Sequence, residues 1–348
     1  MSDLKTVGVI GAGSFGTALA NLIAENYDVL VYARRVEAID NINIKRENAN
    51  QPMHERVRAT GDIKEVCETC TLVFPTIPSA YFREVLLQMV PYLRPDHILI
   101  HGTKGFHINV SEEEKEEDIK ELGRDSIYTM SELIRRETNV IRVGCISGPN
   151  LASELSQHKP AGAVIASHFD EVIRLGRNAL KSHRFQVYGS KDLTGVELAG
   201  SLKNIIALAS GSISALELGE NARALLITKS LGEVIRIGRV LGGDVKTFLG
   251  LAGIGDIIAT SSSTSSRNFS VGYRMAKGET LQQILDTSDE VAEGINTVEI
   301  IKLLADHYRV RVPIISTIYY TLFKGVPASE GLRQLMKYPF DVDVDFID

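Results

Sequence analysis

A glycine pattern near the N-terminus constrains the fold of this chain more than any other feature. An apolar run at residues 7–10 ends in Gly11-x-Gly13-x-x-Gly16, and a stretch with helical character follows at once. In this strand–turn–helix context the three glycines allow a tight turn, a close approach of the backbone to a pyrophosphate, and close packing of helix on strand. The N–H groups and the positive end of the helix dipole then face the phosphates. The pattern therefore predicts a dinucleotide-binding site.

Two other interpretations of this stretch remain open. The glycines could form a turn that binds no ligand. The stretch also resembles a signal peptide, because Lys5 precedes the apolar run and small residues follow it at positions 18–20. Polar Ser14 and Thr17 interrupt the apolar core and charged Glu25 follows closely, which disfavours the signal peptide.

Composition limits the class of protein. The chain has 348 residues, of which 44% are hydrophobic and 24% charged, as in a globular protein of roughly two domains. A formal net charge of −6 gives no reason to expect nucleic acid or an anionic membrane as a partner. No apolar run reaches the roughly 18 residues that span a bilayer. Three cysteines, an odd number, argue against a disulfide framework and favour a reducing cytoplasm.

Cys67 and Cys70 form a CxxC pair, which is found in zinc sites and in redox sites. No second pair follows, and Cys145 lies far along the chain in an apolar run. We interpret the cysteines as incidental, with a metal or redox role as the alternative.

The first part of the chain alternates between strand and helix patterns. Strands are predicted at residues 6–10, 29–32, 72–74, 98–101, 140–146, 163–166 and 185–188, and helices at 17–26 and 81–89. This alternation predicts an α/β fold with a doubly wound, mostly parallel Rossmann sheet. Ligands bind such sheets outside the carboxyl ends of the strands. Pro78, Lys104 and residues 148–150 follow strand ends, so we expect them to line one crevice.

Two arginines stand where the ribose of the cofactor is expected. The second predicted strand ends at Ala33-Arg34-Arg35, about 20 residues after the glycines. An acidic residue there would hold the ribose 2′-hydroxyl of NAD, whereas arginine suits the 2′-phosphate of NADP. Arg34 and Arg35 therefore favour NADP, and the alternative is a pair of solvated surface residues.

The pattern changes near residue 192. Long helices are predicted at residues 193–217, 222–241, 280–285, 298–307 and 315–323. We therefore predict a dinucleotide-binding domain over residues 1–190 and a mainly α-helical substrate and catalytic domain over residues 191–348. The acidic segments 111–118 and 341–348 are interpreted as solvated surface.

Lys203 is the central candidate for chemistry. Its helical face is formed by small or apolar residues, namely Val196, Ala199, Gly200, Ile206, Ala207 and Ser210. A lysine on such a face should be buried, and burial lowers the pKa of its ammonium toward the range useful in proton transfer. The adjacent polar row of Glu197, Ser201 and Asn204 could orient the lysine or contact substrate. The alternative is a lysine at the helix edge that reaches solvent.

Three later segments supply further polar groups. Asp256 is the one charge in the apolar, glycine-rich stretch 251–260, and it could cap a helix, bind a substrate hydroxyl or set the charge state of a lysine. Residues 261–266 form a polar loop before Arg267 and Asn268, a combination suited to phosphate but also common in ordinary loops. The acidic turn at 291–294 indicates no function by itself.

Taken together, these motifs resemble the soluble, NAD(P)-dependent glycerol-3-phosphate dehydrogenase family of bacterial type. The resemblance covers nearly the whole chain and depends on the order of short motifs at residues 11–20, 103–105, 146–149, 195–198, 203–204, 221–223, 253–256, 266–268 and 291–294. It implies reversible conversion of dihydroxyacetone phosphate and NAD(P)H to sn-glycerol 3-phosphate, which feeds phospholipid synthesis. A homodimer is expected from the resemblance, while the cytoplasmic location is expected from the cysteines, and no metal site is predicted.

The matched positions imply a role for each site residue. The implied substrate site comprises Lys104, Gly148, Asn150, Lys203, Asp256, Ser266, Arg267 and Asn268. The implied cofactor contacts, which include the three glycines, are Gly11, Gly13, Ser14, Phe15, Gly16, Arg34, Arg35, Lys104, Ala152, Arg267, Val291 and Glu293. The resemblance makes Lys203 the proton donor and acceptor, and Ser266 with Arg267 the clamp on the substrate phosphate. Asn150 departs from the family, which usually has Ser or Thr there.

Two other functions are compatible with the same residues. A dehydrogenase of the 3-hydroxyacid or 6-phosphogluconate type also uses a lysine on a helix, but its carboxylate substrate would require a different anion clamp. A non-catalytic NADP-binding sensor would bind the cofactor tightly without turnover. Lys203, together with Lys104 and Asp256, argues against the sensor, because a sensor needs no proton donor.

Overall fold

The computed structural model describes residues 5–109, 122–288, 292–338 and 342–344. The chain divides into two compact units, one spanning Met1–His107 and Thr129–Glu197 and the other Ile108–Tyr128 and Leu198–Asp348. Among the described residues, none of the helices is both long and apolar enough to cross a membrane. The acidic segment 111–118 lies outside the described residues, as does most of the acidic tail.

The first unit is built on a twisted sheet. The strands that the described residues form, in chain order, are β1 (Thr6–Ile10), β2 (Asp28–Tyr32), β3 (Glu47–Asn48), β4 (Gln51–Pro52), β5 (Val57–Thr60), β6 (Leu72–Pro75), β7 (Ile98–His101), β8 (His107–Ile108), β9 (Ile127–Tyr128), β10 (Arg142–Ser147), β11 (Ala161–Ala166) and β12 (Phe185–Ser190). Eight of them form one sheet in the order β12-β11-β10-β7-β6-β1-β2-β5. β10 and β11 are antiparallel, and the other neighbours are parallel.

The described residues also form sixteen α-helices. They are α1 (Ser14–Ala24), α2 (Val36–Asp40), α3 (Ile63–Thr69), α4 (Ser79–Met89), α5 (Met130–Glu137), α6 (Ala152–Leu155), α7 (Asp170–Leu180), α8 (Leu193–Ala215), α9 (Gly219–Val240), α10 (Val245–Phe248), α11 (Asp256–Ser261), α12 (Arg267–Ala276), α13 (Leu281–Asp286), α14 (Glu293–His307), α15 (Pro313–Lys324) and α16 (Ala328–Leu335). One turn of π-helix, Leu251–Gly255, leads directly into α11. The predicted fold class, a mostly parallel Rossmann sheet followed by helices, is confirmed.

The central strands are buried on both faces. Their sequences are therefore nearly continuous apolar runs, from which the strands could be predicted. In β1, for example, Val7, Val9 and Ile10 are fully buried. The short edge strand β5 was missed, because its sequence VRAT alternates over only four residues and gives a weak signal. The strand predicted at 140–146 begins later, at Arg142.

Several predicted helix starts were wrong. α1 begins at Ser14 rather than at residue 17, because Gly13 is its N-cap and Gly16 lies within its first turn. α14 begins at Glu293 rather than at 298, so the part of the acidic turn that the structure describes is a helix start. Ser261 closes α11 and is buried, so the predicted polar loop before Arg267 is shorter than expected.

The CxxC pair lies in the packing of the sheet unit. Cys67 belongs to α3 and Cys70 ends it, and both side chains are buried. Burial raises the pKa of the Cys67 thiol to about 11 and that of Cys70 to about 12. Such thiols are poor nucleophiles and poor metal ligands. Within the described residues, no group of three or more His, Cys, Asp and Glu side chains could hold a metal ion.

Candidate active site

Residues 11–16, which comprise the turn after β1 and the first residues of α1, are here called the glycine loop. Gly11 has φ +111°, a conformation that side chains disfavour, and its N–H donates to Tyr32 O of the neighbouring strand at 3.0 Å. A Cβ on Gly16 would lie 2.0 Å from Gly11 O, so α1 can approach the loop this closely only with glycine there. Gly11 is thus required by its backbone conformation and Gly16 by the close approach of α1 to the loop.

The start of α1 has the properties of an anion site. The helix N-cap is Gly13, which has no side chain to satisfy the first N–H groups. The first N–H bonded within the helix is that of Thr17, to Gly13 O at 2.9 Å. A Cβ on Gly13 would meet nothing within 4 Å, so the loop is open on that side. This combination fits the pyrophosphate of a dinucleotide.

The other candidate residues of the first unit follow the carboxyl ends of neighbouring strands. Arg34 and Arg35 directly follow β2 and are exposed. Lys104 follows β7, while Gly148 and Asn150 follow β10. Because β10, β7, β6, β1 and β2 are parallel neighbours, these positions share one edge of the sheet with the glycine loop.

Two contacts connect the loops at that edge. A Cβ on Gly102 would lie 2.7 Å from the ring of Phe15, so this aromatic side chain packs against the segment that leads to Lys104. Thr103 donates from Oγ1 to Ile77 O at 2.5 Å, which ties the same segment to the loop after β6. Ala152 begins α6 and packs against the core of the sheet unit.

Asn150 is buried, although it is one of the residues predicted to contact substrate. It is 6% exposed, and its Nδ2 has no hydrogen-bond partner among the described residues. Ser147, at the end of β10, is 2% exposed and its Oγ is likewise unpartnered within the described part of the chain. Buried donors of this kind are usually satisfied, so both are suited to meeting a ligand.

Glu197 belongs to a buried network in the first unit rather than only to the polar row beside Lys203. His101 Nε2 lies 2.8 Å from Glu197 Oε1, and Ser131 donates to Glu197 from N at 2.8 Å and from Oγ at 2.5 Å. Burial raises the pKa of Glu197, but the hydrogen bond and charge of His101 and the bonds from Ser131 outweigh burial, so the pKa lies below its ordinary value. No short sequence pattern indicates these partners, because they are 66 and 96 residues away along the chain.

The second unit buries Lys203 among polar partners. Lys203 is 5% exposed, as predicted from its helical face, so the alternative of a lysine at the helix edge is wrong. Its Nζ donates to Asp256 Oδ1 at 2.6 Å and to Thr260 Oγ1 at 2.5 Å, while the Thr260 hydroxyl lies 3.2 Å from Asp256 Oδ1. Burial alone favours a neutral amine, but the adjacent carboxylate favours the charged ammonium.

Asp256 is not a helix N-cap, since Gly255 is the N-cap of α11. Asp256 lies inside the continuous helical stretch formed by the π-helical turn and α11, and it is 1% exposed. Thr260 was not predicted to take part in the site. Its position four residues after Asp256 on a helix is the signal that could have found it.

Further candidate residues of the second unit lie at helix starts. Ser266 is the N-cap of α12, where its Oγ accepts from Phe269 N at 3.4 Å, and Arg267 is the exposed first residue. Asn268 Oδ1 accepts from Gly294 N at 2.9 Å. A Cβ on Gly294 would lie 3.1 Å from Asn204 O, so the starts of α12 and α14 pack beside the residue that follows Lys203.

Glu293 begins α14 and is partly buried. Val291, also predicted to contact the cofactor, lies outside the described residues. The second unit therefore brings Lys203, Asp256 and the start of α12 together, with Glu293 beside them at the start of α14.

Comparison with known proteins identifies the family. A family model for the NAD-dependent glycerol-3-phosphate dehydrogenase N-terminus matches residues 6–173, and the corresponding C-terminus model matches residues 192–333. A Saccharophagus degradans protein named glycerol-3-phosphate dehydrogenase, NAD(P)+, is 37% identical over 350 residues, which cover 99% of this chain and 93% of that protein. A protein of the same name from Pseudomonas paraeruginosa is 37% identical over 352 residues, covering 100% of this chain and 98% of that protein.

A solved structure agrees. The crystal structure of glycerol-3-phosphate dehydrogenase from Coxiella burnetii matches with a TM-score of 0.86 at 29% identity, covering 96% of this chain and 99% of that chain. These matches span both units and confirm the family that the sequence motifs predicted. The chain belongs to the NAD-dependent glycerol-3-phosphate dehydrogenase family.

Proposed function

We propose that this protein interconverts dihydroxyacetone phosphate and sn-glycerol 3-phosphate by hydride transfer with NAD(P)H. The observation that carries the proposal is the buried Lys203, hydrogen bonded to Asp256 and Thr260, in a chain of this family. A buried ammonium within reach of a carboxylate is suited to exchanging a proton with a substrate oxygen. Glycerol 3-phosphate formed in this way would supply phospholipid synthesis.

The chain's own groups account for the proton and the charge. When bound, the dinucleotide supplies or accepts the hydride at C2 of the substrate. Lys203 Nζ then donates a proton to the carbonyl oxygen, where negative charge develops, and it recovers that proton in the reverse direction. Asp256 stabilises the ammonium form of Lys203, and the Thr260 hydroxyl fixes the direction of its N–H groups.

We assign substrate binding to residues that can hold a phosphate or a hydroxyl. Arg267 and the N-terminus of α12 would bind the phosphate, because an arginine and the positive end of a helix dipole both favour anions. The proposed substrate contacts are Lys104, Gly148, Asn150, Lys203, Asp256, Ser266, Arg267 and Asn268. Binding of the phosphate would also orient the substrate, because it positions the distant C2 against the nicotinamide.

We assign cofactor binding to the glycine loop and its neighbours. The proposed contacts are Gly11, Gly13, Ser14, Phe15, Gly16, Arg34, Arg35, Lys104, Ala152, Arg267, Val291 and Glu293. The exposed arginines after β2 support NADP as the preferred cofactor, with NAD as the weaker one. Relatives named for NAD(P)+ are compatible with use of both.

The proposal also covers the role of each domain, the cellular location and the oligomeric state of the protein. Residues 1–190 would hold the dinucleotide and residues 191–348 would bind substrate and carry the catalytic lysine. A cytoplasmic location is supported by three cysteines that are all unpaired and buried. A homodimer is supported by exposed apolar side chains on the helices of the second unit, among them Leu225, Val240 and Tyr320.

Oxidation of NADPH and of NADH, followed with dihydroxyacetone phosphate as substrate, tests the function. The proposal expects oxidation with both cofactors, faster with NADPH at equal low concentration. No oxidation with either cofactor would refute the reaction. A preference for NADH would refute only the role given to Arg34 and Arg35.

A further inference from the structure

Side chains from outside the glycine loop hold three of its carbonyl oxygens. Asn48 donates from Nδ2 to Ala12 O at 2.8 Å, and Gln51 donates from Nε2 to Ser14 O at 3.0 Å. Thr76 shares its hydroxyl proton between Gly11 O at 3.2 Å and Ile10 O at 3.1 Å. The Asn48 amide also donates to Thr17 Oγ1 at 2.7 Å, on the first turn of α1.

Asn48 and Gln51, here called the amide clasp, are paired across a small hairpin. The hairpin consists of β3 and β4, in which the two residues are directly opposite each other. Both are buried, with 6% and 4% of their surface exposed. Asn21 of α1 holds the hairpin in place, because its Nδ2 donates to Pro52 O at 2.8 Å and its Oδ1 accepts from His54 N at 2.9 Å.

The turn of this hairpin is strained. Ala49 has φ +49° and Asn50 has φ +58°, the left-handed conformations of a two-residue hairpin turn that strongly favours glycine and asparagine. Alanine in that conformation costs about 1–2 kcal/mol, so it persists where surrounding contacts hold it. The hydrogen bonds of the amide clasp on either side of the turn, together with those of Asn21, are contacts that hold it.

Holding these carbonyls fixes the opposite N–H groups. A peptide unit is planar and trans, so its C=O and N–H point in opposite directions. Holding Gly11 O, Ala12 O and Ser14 O therefore directs the N–H groups of Ala12, Gly13 and Phe15 away from the side chains that bind the carbonyls. It also keeps carbonyl oxygens, which repel anions, off the side of the loop that faces a phosphate.

We propose that Asn48 and Gln51 are positioning residues for the dinucleotide, and that they preorganise the N–H groups which receive the pyrophosphate. This inference rests on the proposed function for the identity of the ligand. The clasp touches only the part of the site that NADH and NADPH share. Its loss should therefore weaken both cofactors by the same factor, unlike the loss of Arg34 and Arg35.

Direct titration of the intact protein with NADPH and with NADH, followed by cofactor fluorescence, tests the inference. Asn48→Ala should raise the dissociation constant of both cofactors about tenfold, since it removes two hydrogen bonds. Gln51→Ala, which removes one, should raise both by a smaller factor and serves as the second variant if Asn48→Ala does not fold. In both variants kcat at saturating cofactor should stay near the wild-type value, because the hydrogen bonds that are removed go to the glycine loop and Thr17 and none of them involves the proposed proton donor.

Asn43→Ala is the matched control. Asn43 also makes two hydrogen bonds through its amide, to Ala59 O at 2.9 Å and from Ala59 N at 2.8 Å, but it holds β5 rather than the loop. It should leave both dissociation constants within twofold of wild type. Equal weakening in Asn43→Ala, unchanged binding in the clasp variants, or a changed ratio of NADPH to NADH affinity would each overturn the inference.

The same titration separates this inference from the proposed reaction. Wild-type protein that binds NADPH but does not turn over dihydroxyacetone phosphate would refute the reaction and leave the clasp intact. Wild-type protein that binds neither cofactor would overturn both.

Discussion

The glycine loop and the buried group of Lys203, Asp256 and Thr260, here called the lysine cluster, are built in opposite ways. The loop is made of backbone from six consecutive residues, and its shape follows from a positive φ at Gly11 and a close approach at Gly16. The lysine cluster is made of side chains, with partners 53 and 57 residues from Lys203 along the chain. A site made of local backbone can be recognised from spacing alone, whereas one made of distant side chains depends on how helices pack.

The same contrast predicts how each site fails. Changes at the loop should act through backbone geometry and affect the cofactor first. Changes at the cluster should act through charge and affect turnover first.

Asp256→Asn should produce the largest loss. It leaves the Lys203 ammonium buried without a carboxylate, and removing one partner of a buried pair costs about 3–5 kcal/mol. Turnover of dihydroxyacetone phosphate should fall by at least about 100-fold, and the free energy of unfolding should fall as well. Asp306→Asn is the control. Asp306 forms an ion pair with Lys302, but the Asp306 side chain is 62% exposed, so the pair contributes at most about 1 kcal/mol to stability. Similar losses in both variants would contradict the special role of the buried pair.

Gly16→Ala should destabilise the first unit. Its Cβ would lie 2.0 Å from Gly11 O, and overpacking of this kind costs about 1–3 kcal/mol. Gly13→Ala should leave the unfolding free energy nearly unchanged, because nothing lies within 4 Å of its Cβ, yet weaken NADPH binding by covering the open side of the loop. Urea unfolding and NADPH titration of the two variants measure the difference. Equal stability of both variants would show that the close approach at Gly16 is not needed.

The double variant Arg34→Ala, Arg35→Ala should lose preference for NADPH. A charge-assisted hydrogen bond contributes about 1.5–3 kcal/mol, so NADPH affinity should fall roughly 10- to 100-fold while NADH affinity stays the same. Arg58→Ala, a substitution of another exposed arginine in the same unit that pairs with Glu65, should change neither. If NADH affinity falls in parallel with that of NADPH, the arginines do not select the 2′-phosphate.

Glu197→Gln should flatten the pH dependence of stability in acid. Burial raises the pKa of Glu197, but the opposing effects of His101 and Ser131 are larger, so the pKa lies below the ordinary 4.5. The stability from this lowered pKa is complete above pH 4.5 and is lost as the pH falls through the folded value. The group contributes a slope of at most about 1.4 kcal/mol per pH unit. Unfolding free energies measured by urea from pH 6 to pH 3 should fall more steeply in the wild type, and equal slopes would remove Glu197 as the cause.

Sequence reasoning succeeded where local pattern decides structure. The glycine loop, β1, β7 and the burial of Lys203 followed from spacing and periodicity over a few residues. It failed where partners come from distant segments. Thr260, the partners of Glu197 and the amide clasp of Asn48 and Gln51 are positioned by tertiary packing, and no short pattern encodes that.

Helix boundaries were the other weakness. α1 and α14 both begin earlier than predicted, at Ser14 and Glu293, because glycine and acidic residues read as turn signals although they occupy a first helical turn here. In both cases the misjudged residues belong to the candidate site. Functional helix starts lack the apolar periodicity on which the prediction depends.

The central claim is that Lys203 supplies the proton and takes no part in holding the cofactor, and Lys203→Met tests it directly. NADPH affinity and turnover of dihydroxyacetone phosphate should be measured on the same preparation, with Lys302→Met as the control for loss of another buried lysine. The account predicts an NADPH dissociation constant within twofold of wild type and turnover reduced by at least about 100-fold, with both nearly normal in Lys302→Met. Near-normal turnover in Lys203→Met would contradict it.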